Sequence, residues 1–338
     1  MSKLRWGVLG VSKFAMNKAI PGMLKSARSE VVGIASRDGQ KANAAAAQLG
    51  LARGYGSYEE MLADPGIEAI YIPLPNHLHV PWSLKAVAAG KHVLCEKPLA
   101  ASTGEISELI AARDRAGVVA GEAFMVRTHP QWERTREIVA SGRLGALRAA
   151  AGFFSYFNAD PANIRNKTEC AGGGLMDIGC YPIFTMRYVF GEEPKRVAAV
   201  QEADPVMGTD RLTSVMLEFP SGQAIFTCST QLVPYQRMQF YGTKGRVEVE
   251  IPFNAPPDRP ARIVVDEGGD LFGATLQPET FAIGDQYAWQ ADEFARAVAG
   301  ERTVPVPLED AWRNMAVMEA VVRAGRSGQW EAVRAMGT

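Results

Sequence analysis

Short apolar segments alternate with segments of helical periodicity through the first 125 residues of the chain. The predicted strands are residues 4–10, 30–35, 68–72, 92–95 and 118–124, and the predicted helices are residues 13–26, 39–49, 57–64, 77–89 and 103–116. Strands that are apolar on both faces and alternate with helices are typical of right-handed βαβ units around a parallel sheet. The pattern therefore predicts an α/β domain with a doubly wound parallel sheet over residues 1–125.

The hydrophobic pattern changes after residue 125. A helix at 129–141, a strand at 146–156 and a glycine-rich turn with a helix at 171–190 precede several strands with alternating polarity, at residues 195–202, 211–219, 223–231, 236–242 and 245–251. Short turns between these strands favour antiparallel hairpins, and helices at 286–299 and 308–325 end the pattern. Residues 126–338 are thus predicted to form an α+β domain for substrate binding and oligomerisation, with an open, mainly antiparallel sheet.

Composition limits the class of protein. The 338 residues are 47% apolar and 22% charged, with a net charge of −1, which is typical of a globular protein and gives no field to attract nucleic acid or a membrane. No apolar run is long enough to span a bilayer, and the N-terminus runs directly into a strand without a signal region. Four cysteines without a C-x-x-C pair and four scattered histidines predict reduced thiols and no metal site. We therefore expect a cytoplasmic protein.

The turn after the first strand carries a glycine pattern for phosphate binding. A glycine there allows close approach of the backbone to a pyrophosphate, and the next helix begins with free N–H groups. Ser12 and Ala15 replace the second and third glycines of the full motif, so packing alone is the alternative explanation. Its position at the start of a βαβ series nevertheless predicts a Rossmann dinucleotide site that includes Gly7, Gly10, Val11, Ser12, Lys13 and Phe14.

The end of the second strand distinguishes between the two nicotinamide cofactors. A site for NAD usually has an acidic residue there to bind the ribose 2′-hydroxyl. This chain has Ser36 and Arg37 instead, followed by Asp38. An arginine pairs with a 2′-phosphate, so NADP is expected, with NAD as the alternative. The other interpretation is that Arg37 is a solvated loop charge and Asp38 caps the next helix.

Two further strand ends carry candidate chemistry. Ligands of open α/β sheets bind at the carboxyl ends of the strands. Pro73, Leu74, Asn76 and His79 follow one predicted strand, and Glu96, Lys97 and Pro98 follow the next. We expect these residues, apart from Pro98, to line the cofactor site, although a generic surface charge is the alternative for the Glu-Lys pair.

Several motifs together resemble the Gfo/Idh/MocA family of oxidoreductases. They are Glu96-Lys97-Pro98, Pro75-Asn76-x-x-His79 and the segment from Gly172-Gly173-Gly174 through Asp177 to Tyr181. A tyrosine at position 181, with the segments 122–130 and 163–165, is similar to the NADP-dependent D-xylose dehydrogenases and dimeric dihydrodiol dehydrogenases. The resemblance implies Lys97 and Tyr181 as the catalytic pair, with Asp177 beside them.

Elementary chemistry is consistent with those implied roles. Asp177 and Tyr181 are four residues apart on a predicted helix and share a face. A phenol with a pKa of about 10 needs a nearby cation to act as a base near neutrality, and Lys97 carries such a charge. Tyr181 is expected to take a proton from a substrate hydroxyl as a hydride leaves its carbon, while Lys97 polarises the same oxygen. Asp177 is expected to bind substrate or orient Lys97, and Glu96 to support Lys97 or contact the ribose.

Residues before the glycine turn are candidates for contact with a sugar. Phe157 and Arg165, with Asp177 and Tyr181, are the predicted substrate residues, and Phe153 and Tyr156 are further candidates. Core strand positions are the alternative for the aromatic residues. Arg127 and His129 follow the last strand of the first domain, and for His129 a structural role and a site role are equally open.

The expected activity is hydride transfer between NADP and a sugar or polyol, most simply by an aldose 1-dehydrogenase acting at C1 of a D-xylose or glucose type substrate. The alternatives are a trans-dihydrodiol dehydrogenase, a reductase of ketosugars or dicarbonyls, and a non-catalytic NADP-sensing regulator. A sensor needs no base, so the presence of Lys97 and Tyr181 disfavours it. The uncovered face of the second sheet and the resemblance both predict a homodimer or a tetramer.

Overall fold

A computed structural model describes residues 3–337. The chain forms two compact units. One contains residues up to Thr128 together with Asp285–Trp312, and the other contains His129–Gly284 together with the chain from Arg313 onward. The functions predicted for the two parts of the chain, dinucleotide binding for residues 1–125 and substrate binding with oligomerisation for residues 126–338, stay predictions.

The first unit is built around a six-stranded parallel sheet in the order β3-β2-β1-β4-β5-β6. Its strands are β1 (Leu4–Leu9), β2 (Ser29–Ala35), β3 (Arg53–Tyr55), β4 (Ala69–Ile72), β5 (His92–Glu96) and β6 (Ala120–Ala123). The strand order reverses between β1 and β4, and a reversal of this kind opens a crevice at the carboxyl edge of a doubly wound sheet.

Amphipathic helices follow the strands of this sheet. They are α1 (Ile20–Met23), preceded by a wide helical turn (Ala15–Ala19), α2 (Gly39–Leu49), α3 (Tyr58–Ala63), α4 (His79–Ala88) and α5 (Thr103–Ala116). A further helix, α8 (Gln286–Val298), belongs to the same unit, and its Phe294 packs on Trp6 of β1 with ring centroids 5.1 Å apart. The aromatic pair therefore attaches a distant segment of the chain to the sheet.

The second unit contains a nine-stranded sheet in the order β14-β13-β12-β11-β7-β10-β9-β8-β15. Its strands are β7 (Leu147–Phe157), β8 (Arg196–Ala203), β9 (Asp210–Glu218), β10 (Gln223–Ser229), β11 (Gln231–Gly242), β12 (Arg246–Val249), β13 (Ala261–Asp266), β14 (Leu276–Phe281) and β15 (Glu331–Ala332). All neighbouring pairs are antiparallel except β7 and β10, which run parallel.

The α-helices α6 (Pro130–Ala140) and α7 (Cys180–Phe190) lie wholly within the second unit, and α9 (Leu308–Ser327) is divided between the units. The core contains Trp132 of α6, whose ring stacks on Phe253 at 6.4 Å and meets Phe240 edge-on at 6.1 Å. The indole nitrogen of Trp132 donates to the carbonyl of Pro252 at 2.8 Å, so the large apolar ring is buried without an orphaned donor.

The structure confirms the predicted fold class, a Rossmann-type parallel sheet followed by a mostly antiparallel sheet. The strands β3, β13, β14 and β15 are missing from the sequence-based prediction. They are short edge strands or lie beyond the last turn with a clear signal, and edge strands have weak hydrophobic patterns. Within residues 3–337, no helix has the length and apolar character needed to cross a membrane.

Candidate functional site

The turn after β1 has a conformation that only glycine adopts readily. Gly10 has φ +101°, and a Cβ placed on it would lie 2.8 Å from Leu74 Cδ2. Its N–H donates to the carbonyl of Ala35 at 2.9 Å, which joins the ends of β1 and β2. Gly10 therefore contributes no side chain of its own to the turn at the carboxyl edge of the sheet, which is the property that a glycine has in a pyrophosphate-binding turn.

Gly7 has a different position from Gly10. It lies within β1, and a Cβ there would meet Met61 Sδ at 2.5 Å and Ile67 Cγ2 at 3.2 Å. Its missing side chain makes room for apolar side chains of the first unit. We therefore leave Gly7 out of the proposed cofactor contacts and assign it to packing.

The helical segment after Gly10 begins with Ser12. The hydroxyl oxygen of Ser12 accepts from the N–H of Ala15 at 3.0 Å, and its carbonyl accepts from the N–H of Met16. Phe14 meets Tyr287 of α8 edge-on, with ring centroids 5.7 Å apart. Val11, Ser12, Lys13 and Phe14 therefore lie in the turn that enters a helix, where a bound anion meets N–H groups and the positive end of the dipole.

At the end of β2, the acidic residue faces the next helix. Asp38 Oδ1 accepts from the N–H groups of Gln40 and Lys41, at 2.9 and 3.2 Å, and caps α2. Ser36 is buried and its hydroxyl oxygen accepts from the N–H of Asp38. Arg37 is exposed. Burial raises the pKa of Tyr58, and the positive charge of Arg37 offsets part of that rise.

His79 joins the loops that follow β4 and β5. Its ring is fully buried, with Nδ1 2.8 Å from the carbonyl oxygen of Pro98 and Nε2 2.7 Å from that of Leu74. Burial lowers the pKa of His79 to about 4, so the neutral ring donates to one of the two carbonyls at neutral pH. Because both ring nitrogens face backbone carbonyls, His79 can influence a cofactor only by fixing the positions of these two loops.

Glu96 and Lys97 stand at the carboxyl end of β5, next to β4 in the sheet. Glu96 is buried and accepts a short hydrogen bond from the hydroxyl of Tyr71 on β4. The backbone N–H of Lys97 lies 3.4 Å from the other oxygen of Glu96, and the Lys97-Pro98 peptide bond is cis. Glu96 is therefore held by Tyr71 of the neighbouring strand, and Lys97, the residue with the predicted catalytic role, follows it directly in the sequence.

The glycine-rich turn of the second unit leads directly into the helix with the predicted base. A wide helical turn, Leu175–Gly179, contains Asp177 and continues into α7, whose second residue is Tyr181. Tyr181 is 5% exposed, and its ring packs against Phe154 of β7 at 5.7 Å and against Phe253 at 5.2 Å. Packing on two sides fixes the direction of the phenol.

Asp177 lies in a network of polar side chains beside Tyr181. Its Oδ1 is 3.0 Å from Arg165 Nε, and its Oδ2 accepts from the hydroxyl of Tyr156 at 2.6 Å. The pKa of Arg165 is raised, mainly by the charge of Asp177 and less by Tyr156 and Tyr181, against the opposing effect of burial. The structure therefore brings four of the sequence-predicted residues together around one carboxylate.

The other aromatic candidates do not join this network. Phe153 and Phe157 alternate with Phe154 and Tyr156 along β7 and so lie on the opposite face of the sheet. Phe157 is 67% exposed there. Because the pleat directs it away from Tyr156 and Asp177, we omit Phe157 from the proposed substrate contacts.

His129 has a structural role at the start of α6. Its Nδ1 accepts from the N–H of Gln131 at 3.2 Å, the side chain is buried, and burial lowers its pKa to about 4. Of the two roles left open by the sequence, helix capping is the one that this geometry supports.

Both parts of the chain match models of known protein families. Residues 4–124 match an oxidoreductase family with an NAD-binding Rossmann fold, and residues 132–248 match the GFO/IDH/MocA C-terminal domain. The protein is therefore an NAD(P)-binding oxidoreductase. It belongs to the Gfo/Idh/MocA family.

Relatives of known sequence cover most of the chain. An uncharacterized oxidoreductase from Rhizobium meliloti is 48% identical over 98% of this chain and 100% of its own length. A D-xylose 1-dehydrogenase (NADP⁺) from Haloferax volcanii is 37% identical, over 96% of this chain and 98% of its own. A trans-1,2-dihydrobenzene-1,2-diol dehydrogenase from Mus musculus is 34% identical, over 73% and 74%.

Solved structures show the same two-part fold. An aldose-aldose oxidoreductase from Caulobacter crescentus, complexed with glycerol, aligns with a TM-score of 0.89 at 26% identity, over 98% of this chain and 99% of that one. A tyrosine-to-phenylalanine mutant of a 3-ketoreductase from Actinomadura kijaniata, in complex with TDP-benzene and NADP, aligns with a TM-score of 0.88 at 27% identity, over 96% and 98%.

One residue of the site is absent from the sequence-based prediction. Asp210, the first residue of β9, contacts the glycine turn before Asp177. The only sequence signal is an isolated aspartate at the start of a strand, and that pattern does not reveal which distant turn it meets.

Proposed function

We propose that the protein is an NADP-dependent dehydrogenase that oxidises the C1 hydroxyl of an aldose. The observation that carries the proposal is the network of Arg165, Asp177 and Tyr156 next to Tyr181. A packed phenol beside the ion pair of Arg165 and Asp177 is an arrangement suited to proton transfer from a substrate hydroxyl. The 37% identity to a D-xylose 1-dehydrogenase supports this choice of substrate class.

The residues at the carboxyl edge of the first sheet fit NADP. Gly10 forms the turn after β1 with φ +101°, and Ser12 begins a helical segment that offers N–H groups to a pyrophosphate. Asp38 Oδ1, the oxygen that would otherwise accept from a ribose hydroxyl, caps α2. Arg37 is exposed beside it, and we assign it to the 2′-phosphate. The remaining proposed contacts are Val11, Lys13, Phe14, Ser36, Pro73, Leu74, Asn76, Glu96 and Lys97, with His79 acting through the two loops that it joins.

The bound nicotinamide supplies the acceptor for the hydride that leaves C1. In the proposed reaction Tyr181 removes the proton of the C1 hydroxyl while C1 gives up a hydride, so the cyclic alcohol loses two hydrogens and two electrons and becomes a lactone carbonyl. Lys97 polarises the same oxygen and favours the phenolate form of Tyr181. Arg165 adds a second positive charge near the phenol, while Asp177 holds Arg165 in place.

A relative supports the assignment of the pair. Structures of the Actinomadura kijaniata 3-ketoreductase include a tyrosine-to-phenylalanine mutant and a lysine-to-alanine mutant. In that protein the replaced lysine and tyrosine are the same number of residues apart as Lys97 and Tyr181 here. The pairing of Lys97 with Tyr181 is part of our proposal.

The test is a spectrophotometric screen at the absorbance of NADPH. NADP⁺ and NAD⁺ are each offered with aldoses, polyols and cyclic vicinal diols, with wild type, Tyr181→Phe and Lys97→Met compared. We expect turnover of an aldose with NADP⁺ and a loss of kcat on the order of 10²- to 10⁴-fold in Tyr181→Phe. Cofactor binding without turnover of any substrate would exclude the dehydrogenase proposal and favour a sensor. Turnover that is unchanged in Tyr181→Phe would contradict the proposed role of Tyr181 as the base.

The reverse reaction is the second candidate. The similarity to a 3-ketoreductase extends over 96% of this chain, and the same residues can return a proton to an alkoxide. Oxidation of NADPH in the presence of ketosugars or dicarbonyls, faster than reduction of NADP⁺ by aldoses, would favour this direction. Turnover of trans-diols alone would indicate the dihydrodiol dehydrogenase activity.

We also propose that the open face of the nine-stranded sheet packs against a second copy of the chain. Val200, Met216 and Ile225 lie on this face, with Val200 75% and Ile225 52% exposed. Such residues are unusual on a sheet that faces only water. Light scattering of the wild type should show a dimer or tetramer, and Ile225→Lys should reduce its size; a monomeric wild type would contradict the proposal.

A further inference from the structure

We propose that Asp210 is a positioning residue for the reaction, because its carboxylate fixes the start of the helical segment that carries Asp177 and Tyr181. The inference rests on the proposed role of Tyr181 as the base. Asp210 belongs to β9, and no motif of the sequence connects it with the glycine turn.

The carboxylate of Asp210 meets the N-terminus of the helical segment directly. Its Oδ2 accepts from the backbone N–H of Leu175 at 2.7 Å and from the hydroxyl of Thr213 at 2.8 Å. The N–H of Gly174 also stabilises the charged carboxylate. A carboxylate that accepts N–H groups at a helix start works as a cap and also balances the positive end of the dipole.

The three glycines explain how a side chain from another strand reaches this position. A Cβ on Gly173 would lie 2.2 Å from Asp210 Oδ1, and Gly173 has φ +120°. A Cβ on Gly174 would lie 3.3 Å from Oδ2, and one on Gly172 would lie 2.4 Å from the carbonyl oxygen of Arg165. The glycine turn is therefore shaped around the carboxylate on one side and around the Arg165 backbone on the other.

The cap lies close in sequence to the reacting group. Leu175 is two residues before Asp177 and six before Tyr181, and the N–H of Asp177 donates to the carbonyl of Gly173 at 2.9 Å. The N–H of Gly173 donates to the carbonyl of Arg165 at 2.8 Å. A shift of the turn would therefore move Asp177, Arg165 and Tyr181 together. Misplacement of a reacting group by about 1 Å reduces rates on the order of 10²-fold.

The ionisation of Asp210 is consistent with this role. Burial raises the pKa of its carboxyl to about 6, and the hydrogen bonds from Thr213, Leu175 and Gly174 oppose that rise. At neutral pH the carboxylate form, which accepts these bonds, predominates.

The experiment compares Asp210→Ala and Asp210→Asn with a matched control, Asp204→Ala. Asp204 lies in the turn before β9, and its carboxylate accepts from the N–H groups of Val206 and Met207 and from Gln231. The control therefore removes an aspartate with a similar number of hydrogen bonds but no contact with the glycine turn. We measure kcat, KM for each substrate, NADP⁺ affinity by tryptophan fluorescence, thermal stability, and amide exchange of the peptide containing residues 172–181.

We expect Asp210→Ala to lower kcat on the order of 10- to 100-fold, with NADP⁺ affinity within about twofold of wild type and faster amide exchange in the peptide. Asp210→Asn keeps one acceptor and should retain an intermediate kcat. Asp204→Ala should leave kcat unchanged even if stability falls. A folded Asp210→Ala with wild-type kcat, or an equal loss of kcat in Asp204→Ala, would overturn the inference.

Two further variants keep the result interpretable. If Asp210→Ala does not fold, Gly173→Ala tests the same contact from the other side, and wild-type kcat there would overturn the inference. Tyr181→Phe is assayed in parallel. If it keeps activity, the proposed role of Tyr181 as the base fails; if it loses activity while both Asp210 variants keep theirs, only the role of Asp210 fails.

Discussion

Arg165 and Asp177 form an ion pair beside the predicted base, with Arg165 Nε 3.0 Å from Asp177 Oδ1. The other carboxylate oxygen accepts from Tyr156. Both oxygens of Asp177 thus have partners within the second unit. This geometry assigns Arg165 to the electrostatic environment of Tyr181 in addition to its predicted contact with substrate.

Replacement of Arg165 by methionine should change the pH profile of kcat. The guanidinium attracts a phenolate at Tyr181, and its loss removes the positive charge that offsets the negative charge of Asp177. Both changes disfavour the deprotonated tyrosine. We expect the rise of kcat with pH to move upward by about one pH unit, whereas Arg165→Lys, which keeps the charge, should move it less. An unshifted profile in the methionine variant would remove Arg165 from this role.

Arg37→Ala should reduce the preference for NADP⁺ over NAD⁺. The charge-assisted hydrogen bonds from an arginine to a phosphate contribute about 1.5–3 kcal/mol, so we expect KM for NADP⁺ to rise on the order of 10- to 100-fold. KM for NAD⁺ should change little, because Asp38 caps α2 in either case. Lys85→Ala, which removes an exposed cation that lies over Trp82, serves as the control. An unchanged cofactor preference in Arg37→Ala would contradict the assignment of NADP.

Gly10→Ala and Gly7→Ala should have different effects, although the two glycines are three residues apart. A Cβ on Gly10 is strained by φ +101° and lies 2.8 Å from Leu74, so affinity for both cofactors should fall about tenfold or more. A Cβ on Gly7 meets Met61 in the packed interior, so the free energy of unfolding should fall by about 1–3 kcal/mol. Titration fluorescence and chemical denaturation measure the two effects. Equal losses of cofactor affinity in both variants would refute the distinction.

His129→Asn should flatten the dependence of stability on acid. The pKa of His129 is about 4 in the folded protein because of burial, against about 6.5 in an unfolded chain. The unfolded state therefore binds the extra proton first, and stability is lost as pH falls from 6.5 to 4. The contribution is on the order of 3 kcal/mol.

Asparagine in place of His129 keeps an acceptor for the N–H of Gln131 but does not titrate. Urea denaturation at pH 7, 5.5 and 4.5 should therefore show a smaller loss for the variant than for the wild type. Parallel losses in the two proteins would show that His129 does not contribute to acid sensitivity.

The sequence alone determined the class of the first domain, because βαβ units have strong local signals and a fixed handedness. It placed the strand ends at Arg37 and Lys97, and the motifs around Lys97 and Tyr181 pointed to the family. Each of these features depends on residues that are close together in the sequence. The prediction was weakest for β13, β14 and β15. β15 pairs with the distant β8, whereas β13 and β14 pair with neighbours in sequence across loops that carry no clear turn signal.

The tertiary structure alone decided which partners each side chain meets. Gly7 and Gly10 share a motif, but packing around Met61 and the turn at Leu74 give them different roles. The pleat of β7 places Phe157 and Tyr156 on opposite faces of the sheet. The hydrogen bond that the buried His129 accepts from the N–H of Gln131 makes it a helix cap. Asp210 became part of the site only when β9 brought it to the glycine turn. Contacts between distant segments follow from how the elements pack, and no local pattern of residues encodes them.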